Sequence, residues 1–369
     1  MFAENFRNLW TIFQNYGFMS ETLFFTLFSI GVIFVMLVDL GVFKKGPVQE
    51  VTFKEAGFWS AAWVSLAILF YFFLKFYGGM VHGIFDMTSL SAIQTLYAKH
   101  LTLNPSNYAE SLTLFQNNLS LEFITGYLVE YSLSADNVFV FILIFNSFGV
   151  HKKYYKKILV WGILGAVILR LIFIFLGAAL LQKFDWIIYL FGAFLVYTGM
   201  KILFSHEDEK EIKPSEHPIV KLLSKYFNVF HRNVTGRFII RMKKTGKLFI
   251  TPLFVIVVVI AFTDILFAVD SIPAIFSISK DPNIVFFSNV FAVMGLRSLF
   301  FFLSSLMGLF RFLPMGLGVL LSFVGIKMLA HHYLEAWGFG TMHSLGVIIG
   351  ILVVSIGLSM VFPAKPHNP

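Results

Sequence analysis

Two acidic pairs with the same spacing lie inside apolar parts of the chain. Glu130 precedes Asp136 by six residues, and Asp264 precedes Asp270 by the same interval. Oxygen ligands suit hard cations such as Mg²⁺, Ca²⁺ and Mn²⁺, and these segments contain no thiolate or imidazole that would favour Cu⁺ or Zn²⁺. They therefore predict an all-oxygen site for a divalent cation. The candidate ligands are the four acids and the polar residue after each pair: Glu130, Asp136, Asn137, Asp264, Asp270 and Ser271.

Each acidic pair is followed by an arginine and then by a lysine. Arg170 precedes Lys201 by 31 residues, and Arg297 precedes Lys327 by 30. Charges in the middle of a bilayer are costly, so a set that occurs twice predicts a function, and such internal repeats are typical of transporters. Because a buried arginine stays charged, we expect Arg170 and Arg297 to pair with the acids. A purely structural pairing is the alternative to cation binding, and the two roles are compatible.

The spacing within each pair constrains the local backbone. Six residues rotate an ideal helix by about 240°, so the two acids do not share one helix face. Either they face different neighbours or the helix is locally unwound. Ser132 and Ser134 in the first copy and Pro273 in the second favour an irregular helix, because they compete with or remove helical hydrogen bonds.

The composition of the chain is that of a membrane protein. Hydrophobic residues make up 58% of its 369 residues and charged residues 13%, whereas soluble domains are about 45–50% apolar. A spanning helix needs about 20 apolar residues, and a barrel would instead alternate apolar and polar residues. The sequence therefore predicts an all-α polytopic membrane protein with about nine transmembrane helices. The predicted spans are 19–40, 57–77, 121–149, 156–181, 186–205, 249–278, 284–308, 312–331 and 344–363.

Basic residues are distributed unequally between the predicted loops. Across nine spans, 19 Lys and Arg fall on one side and four on the other. The positive-inside rule assigns the richer side to the cytoplasm, which places the N-terminus outside and the C-terminus inside. The net charge of +8 then sets orientation in the lipid bilayer, and no nucleic-acid partner is expected. No cleavable signal peptide is expected either, since no small-residue cleavage site follows a short apolar core.

The duplicated charges divide between two groups of three predicted spans. Because three is odd, the second group must enter the membrane from the opposite side, which predicts an inverted-topology repeat with its acids meeting near mid-membrane. The predicted organisation has five parts: 1–120, two N-terminal helices and an external insertion at 78–120 with short surface helices; 121–205, the first repeat; 206–248, a basic and partly helical cytoplasmic linker; 249–331, the inverted second repeat; and 332–369, a last helix and tail.

Other polar residues point to no catalytic machinery. The sequence has no cysteine, and it contains no phosphate-binding glycine loop, no His-Glu-x-x-His and no serine triad. We therefore expect neither an enzyme nor a tightly bound cofactor. Lys201 and Lys327 are expected to reach water at helix ends. His331, His332 and His343 flank the last predicted external loop, where histidines at helix ends are common.

Several longer segments resemble the TerC family, and its Alx-type members most closely. They are residues 130–140 (EYSLSADNVFV), 267–276 (FAVDSIPAIF) and 288–297 (SNVFAVMGLR). The resemblance extends over roughly residues 20–363 and implies a bacterial inner-membrane protein of the wider LysE-type transporter superfamily. It also implies that Asp136, Asn137, Asp270 and Ser271 are functional positions. The insertion at 78–120 is longer and more polar than expected for the family.

The resemblance implies Mn²⁺ as the exported ion, since carboxylates alone barely distinguish Mn²⁺ from its neighbours. The leading hypothesis is a secondary Mn²⁺ exporter with Asp136 and Asp270 as principal ligands, and Glu130 and Asp264 as auxiliary ligands or proton carriers. One alternative is a membrane protein that delivers metal to exported protein partners or acts in tellurium resistance. A transporter of Ca²⁺ or an organic cation is another. The coupling ion, its stoichiometry and the oligomeric state stay open at this point.

Overall fold

A computed structural model describes residues 21–39, 52–184, 186–204, 218–227, 236–241, 248–304, 312–330, 333–334, 337, 339 and 341–362. These residues form an all-α membrane protein with one short two-stranded ribbon. The helices are α1 Glu21–Asp39, α2 Phe53–Tyr77, α3 Met87–Tyr97, α4 Tyr108–Ser147, α5 Tyr155–Lys183, α6 Ile187–Phe204, α7 Pro218–Tyr226, α8 Pro252–Phe276, α9 Pro282–Ser304, α10 Leu313–Leu329 and α11 Thr341–Val361. The antiparallel strands are β1 Ile239–Arg241 and β2 Leu248–Ile250.

Every predicted span falls on one of these helices, but they differ in length and polarity. Six of the described segments are long and apolar enough to cross a membrane: Phe53–His82, Lys152–Leu181, Ile187–Phe204, Pro252–Phe276, Pro282–Phe302 and Thr341–Val361. The apolar parts of α1 and α10 are shorter, at Thr22–Val38 and Pro314–Leu329. Helix α4 has 40 residues, and its acidic and amide side chains make it less apolar than the others. A polytopic membrane fold follows, and the count of nine spans stays a prediction.

The contacts between helix ends define two ends of the bundle. We call the end near residues 78–107 the insertion end and the end near 218–250 the linker end. Ser279, just after α8, bonds Glu122 in the N-terminal half of α4, so α8 ends beside the N-terminal half of α4. Lys157 at the start of α5 bonds the carbonyl of Gly236, and Lys327 at the end of α10 bonds the carbonyl of Ser277. Helices α4, α6, α9 and α11 therefore run towards the linker end, and α5, α8 and α10 run towards the insertion end.

Helix α9 is the centre of the bundle. It is buried along nearly its whole length and packs against α2, α4 and α5. Aromatic rings fill the space between it and the N-terminal helices: Phe70 lies 5.0 Å from Phe123, 5.4 Å from Phe287 and 5.1 Å from Phe291 between ring centroids. The Phe-rich composition thus supplies packing between helices as well as an apolar surface.

Helices α6 and α10 cross with their backbones in close contact. A Cβ atom at Gly199 would lie 2.6 Å from the carbonyl oxygen of Gly318, and one at Gly325 would lie 2.6 Å from that of Gly192. Lipid tails are as apolar as the side chains, so close van der Waals packing between small residues is what associates such helices. The absence of a side chain at these positions is therefore a structural requirement.

The predicted boundaries need correction at two places. The insertion is not a peripheral set of surface helices alone, because α4 starts within it at Tyr108 and Leu90, Phe115 and Leu119 are buried in the main core. The linker contains α7 and β1, and β2 crosses its predicted end at residue 248, whereas only partial helix was expected. Residues 205–217, 228–235 and 242–247 of the linker region, and His331 and His332, lie outside the described residues.

We predict that Gly199→Ala destabilises the protein and that Gly346→Ala does not. Both substitutions add one methyl group to a helix, but a Cβ at Gly199 meets Ser322 Oγ at 2.4 Å and the Gly318 carbonyl, whereas nothing lies within 4 Å at Gly346. Overpacking of this kind costs about 1–3 kcal/mol. Thermal unfolding of the purified variants in detergent measures the difference, and equal melting temperatures would contradict the proposed contact.

Candidate cation site

The predicted acids lie on two antiparallel helices that pack together, α4 and α8. Glu130 on α4 is fully buried, and Asp264 on α8 is 1% exposed. Arg170 on α5 and Asn289 on α9 are also 1% exposed. Four helices thus each place one charged or strongly polar group into the interior, where it needs a partner.

Arg170 connects the acids of the two predicted repeats. Its Nε and Nη2 donate to the two carboxylate oxygens of Asp264 at 2.8 and 3.0 Å, which is a bidentate arrangement. Its Nη1 donates to Oε1 of Glu130 and, at 3.2 Å, to Oδ1 of Asn289. The planar fork of arginine suits such shared binding of two carboxylates. Arg170, Glu130, Asp264 and Asn289 form what we call the Arg170 network, with one net negative charge.

The Arg170 network leaves oxygen and nitrogen atoms available in the interior. Oε2 of Glu130 is buried and accepts no hydrogen bond from the described residues, and neither Asn289 Nδ2 nor Asn137 Nδ2 donates one to them. Ser271 Oγ is likewise buried with no hydrogen-bond partner among them. Buried polar atoms are costly unless a partner satisfies them. Such a concentration of open polar atoms is expected where an ion or water binds.

The remaining predicted site residues are only partly described. The backbone at Asp136 and Asp270 is helical, but their side chains lie outside the described residues. Arg297 on α9 is 2% exposed. Among the described side chains, no three His, Asp or Glu residues are close enough together to hold a metal ion. The structure therefore brings Glu130, Asp264 and Arg170 together and leaves the role of Asp136 and Asp270 as a prediction.

The expectation of unwound helices at the acids is wrong. Helix α4 is continuous from Tyr108 to Ser147, and α8 is continuous from Pro252 to Phe276. Ser132 bonds back to the carbonyl of Leu128 without interrupting the helix. Pro273 lies in the last turn of α8, so its missing donor affects a single bond close to the helix end.

Lys327 also differs from its expected position. Lys201 is exposed near the end of α6, as a residue that reaches water would be. Lys327 is half-buried, and its Nζ donates to the carbonyl of Ser277 at 3.1 Å. Ser277 caps the C-terminus of α8, where exposed carbonyls and the helix dipole favour a cation. Lys327 therefore ties the end of α10 to the end of α8.

Asn289 was not selected from the sequence. It lies within the segment 288–297 that carries the family resemblance, but an uncharged amide inside an apolar run has no distinctive spacing. Asn289 lies eight residues before Arg297 in the sequence. This spacing was the one pattern that could have identified Asn289 as a site residue.

Comparison with known proteins places the site in a family. The model of the Integral membrane protein TerC family matches residues 115–366. The chain belongs to the TerC family. The matched region contains Glu130, Arg170, Asp264 and Asn289, so the whole Arg170 network lies within the family's domain.

Similar proteins occur in several bacteria. The TerC-family chain is 37% identical over 328 residues to "Putative membrane-bound redox modulator Alx" of Escherichia coli (strain K12), covering 89% of this chain and 91% of that protein. It is 38% identical over 330 residues to "Uncharacterized membrane protein STKORF319" of Myxococcus xanthus, covering 89% of each. It is 32% identical over 344 residues to an "Uncharacterized membrane protein" of Rickettsia bellii (strain RML369-C), covering 93% and 97%. No solved structure matches.

We predict that Arg170→Gln strongly destabilises this TerC-family protein. Removing the guanidinium leaves Glu130 and Asp264 buried without their cation, and breaking a buried ion pair typically costs about 3–5 kcal/mol. The triple variant Arg170→Gln, Glu130→Gln, Asp264→Asn should recover part of the loss, because all three side chains are then neutral.

Thermal unfolding of the purified variants measures both effects. Lys201→Gln is the matched control, since it removes one positive charge from an exposed position. A melting temperature of Arg170→Gln equal to that of Lys201→Gln would show that the network contributes little to stability.

Proposed function

We propose that this protein is a secondary transporter that exports a divalent cation, with Mn²⁺ as the substrate implied by its family. The observation that carries the proposal is the Arg170 network, in which an acid from each of two antiparallel helices is held at the buried centre of the bundle. Ionisable residues at this depth are expensive, and they mark ion pathways in membrane proteins.

An inverted repeat of α4–α6 and α8–α10 underlies the proposal. Each helix of the second triplet runs opposite to its counterpart in the first. The packing is symmetric under exchange of the triplets, because α4 packs on α9, α5 on α8, and α6 on α10. The sequence offset that relates Lys201 to Lys327 also relates Gly192 to Gly318 and Gly199 to Gly325. The two close glycine contacts, Gly192 with Gly325 and Gly199 with Gly318, are therefore equivalent under this exchange.

The formal charges of the candidate site match a divalent cation. Four carboxylates (Glu130, Asp136, Asp264 and Asp270) and two arginines (Arg170 and Arg297) leave a charge of two negative. One divalent cation neutralises that charge, which matters because uncompensated charge in a low-dielectric interior is costly. Asp136 and Asp270 are the proposed principal ligands, and Arg170 and Arg297 keep the other acids ionised and oriented.

The neighbouring polar residues complete the proposed ligand set. Asn137 and Ser271 occupy equivalent positions directly after Asp136 and Asp270. Both are buried, at 5% and 2% exposure. Asn137 Oδ1 and Ser271 Oγ are oxygen ligands of the kind that hard divalent cations accept. Glu130 serves as an auxiliary ligand through Oε2, which Arg170 leaves available. Asp264 serves as one through the remaining lone pairs of the two oxygens that Arg170 contacts.

The proposed topology has nine spans in a bacterial inner membrane, with the N-terminus outside and the C-terminus in the cytoplasm. The basic residues of the described linker region support this orientation. Lys221, Lys225, Arg237 and Arg241 lie at the linker end together with Lys157. Lys and Arg are enriched in cytoplasmic loops, so the linker end faces the cytoplasm and the insertion end faces outside.

Metal delivery or redox modulation is a less favoured function. A delivery protein would present the insertion to exported partners, but much of the apolar surface of the insertion is used internally, as Val81, Leu90 and Phe115 are buried. The name of the Escherichia coli relative refers to redox modulation. The present sequence contains no cysteine for thiol chemistry.

Transport is tested with purified protein in liposomes that contain a Mn²⁺-sensitive dye. We predict Mn²⁺ flux for the native protein and flux at the background level for Asp136→Ala and Asp270→Ala, because each removes a principal ligand. Glu110→Ala is the matched control, since Glu110 is an exposed acid on the same helix as Asp136 and should leave flux unchanged.

The outcomes separate the hypotheses. No flux by well-folded native protein would refute the exporter. Unchanged flux in both Asp136→Ala and Asp270→Ala would show that these acids have a structural role and do not bind the transported cation. Substitution of the exposed insertion residues Phe85 and Leu96, which leaves the buried residues of the insertion in place, tests delivery. The delivery model requires intact flux together with poorly metallated exported enzymes.

A further inference from the structure

A second buried polar group, separate from the Arg170 network, lies at the insertion end. Glu122 on α4 is 3% exposed. Its Oε2 accepts a hydrogen bond from Ser279 Oγ at 2.6 Å, and its Oε1 accepts one from Asn118 Nδ2 at 2.8 Å. Two residues after Ser279, Asp281 is 1% exposed and its Oδ2 lies 2.6 Å from His82 Nε2. Residues from α4, from the segment after α2 and from the α8–α9 connection therefore meet here.

The two acids of this group have different partners. Asp281 pairs with His82, which provides a proton or a positive charge, and it also accepts a bond from the backbone of Asn283 at 2.9 Å. Both hydrogen-bond donors to Glu122 among the described residues are neutral, a hydroxyl and an amide. An ionised carboxylate in such surroundings is costly, and binding a proton removes that cost. Glu122 is thus suited to exist in a protonated and an ionised form.

Glu130 and Asp264 are not suited to this role. Both accept charge-assisted hydrogen bonds from Arg170. Protonating either would weaken a charge-assisted bond in the interior. If the transporter exchanges its cation for protons, the proton-carrying acid should therefore lie outside the Arg170 network.

Glu122 is connected to the central network along one face of α4. Glu122, Gly126 and Glu130 are spaced four residues apart, so they follow one side of α4. Gly126 brings this face against Ser288, whose Oγ would lie 3.1 Å from an added Cβ. The next residue, Asn289, accepts a bond from Arg170. Eight residues of helix cover about 12 Å, and a serine hydroxyl lies within that interval.

From this geometry we infer that Glu122 is the proton-binding site that couples proton entry to cation export. The inference rests on the proposed transport function and assigns its coupling ion. Glu122 accepts a proton from the outer side, at the insertion end, as the cation leaves the central acids. The proton is then released to the inner side of the membrane, at the linker end, and Glu122 returns to its ionised form.

Three other charged groups face Glu122 and influence this equilibrium. The backbone of Asp281 bonds the Ser279 hydroxyl that contacts Glu122, and Lys327 bonds the carbonyl of Ser277, two residues before Ser279. His82 acts through its bond to Asp281. The Ser279 hydroxyl donates to Glu122 and so stabilises the ionised carboxylate. The three charged groups Asp281, Lys327 and His82 come from different elements. A shift of these elements relative to α4 would therefore change how readily Glu122 binds a proton.

The test compares two kinds of flux in liposomes, Mn²⁺ movement driven by a pH gradient and Mn²⁺/Mn²⁺ exchange without a gradient. Glu122→Gln keeps the size and polarity of the side chain but cannot ionise. We predict that it lowers gradient-driven flux by about tenfold or more, as expected when a proton-transfer group is lost, and leaves exchange close to native. Glu110→Gln, the same change at an exposed position of α4, should alter neither.

The outcomes distinguish failure of this inference from failure of the proposed function. Absence of any Mn²⁺ flux in native protein would refute transport itself. If flux by the native protein does not depend on the pH gradient, proton coupling is refuted but transport is not. Loss of exchange as well as gradient-driven flux in folded Glu122→Gln would make Glu122 part of the cation path, against the assignment. Loss of coupling in His82→Gln but not in Glu122→Gln would move the proton site to the His82–Asp281 pair and also overturn it.

Ser279→Ala provides a second measurement that does not depend on the stability of Glu122→Gln. Losing the hydroxyl donor makes the ionised carboxylate less favourable, so Glu122 binds its proton at higher pH. The pH midpoint of gradient-driven flux should therefore rise in Ser279→Ala, with exchange unchanged. An unchanged midpoint would contradict the role of Glu122.

Discussion

The charge of Arg170 is the constraint around which the bundle is organised. A guanidinium does not lose its proton in the interior, so it needs anionic partners at fixed distances. Those partners come from α4 and α8, with an amide from α9, and the arginine itself comes from α5. Four helices are therefore held in one register by a single side chain. The acids are in turn held in place by helices that stay intact, since backbone groups in a bilayer have no water to bond.

The rest of the packing allows this charged centre to exist. Apolar side chains gain little by leaving lipid for the protein interior, so the helices associate through close contact. The glycines of α6 and α10 bring two backbones together, and rings from α1, α2, α4 and α9 interlock around Phe70. Glu130, Asp264 and Arg170 are buried within this packing, and the low dielectric of the interior strengthens their electrostatic interactions.

The duplicated pattern predicted the main partners well but not the surrounding detail. The spacing alone predicted that Glu130, Asp264 and Arg170 interact. Charged residues are conspicuous inside apolar runs, and this pattern of charges occurs twice in the sequence. It predicted an irregular helix wrongly, since Ser132 can bond backwards without breaking a helix and Pro273 lies one turn from the end. Asn289 and the Glu122 group were missed for a different reason. Their members come from separate elements, and only the fold brings them together.

The short lengths of α6 and α10 affect the surrounding lipid. At 18 and 17 residues, these helices measure about 27 and 26 Å, less than the roughly 30 Å of a typical hydrocarbon core. In the proposed nine-span topology both helices cross the bilayer, and thinning of the adjacent lipid is one way to match helices of this length. Because α6 packs on α8 and α10 packs on α4, the thinned region adjoins both acid-bearing helices. A thinner apolar layer brings water closer to the central charges from both sides, so an ion would cross a shorter distance of low dielectric than the bilayer itself imposes.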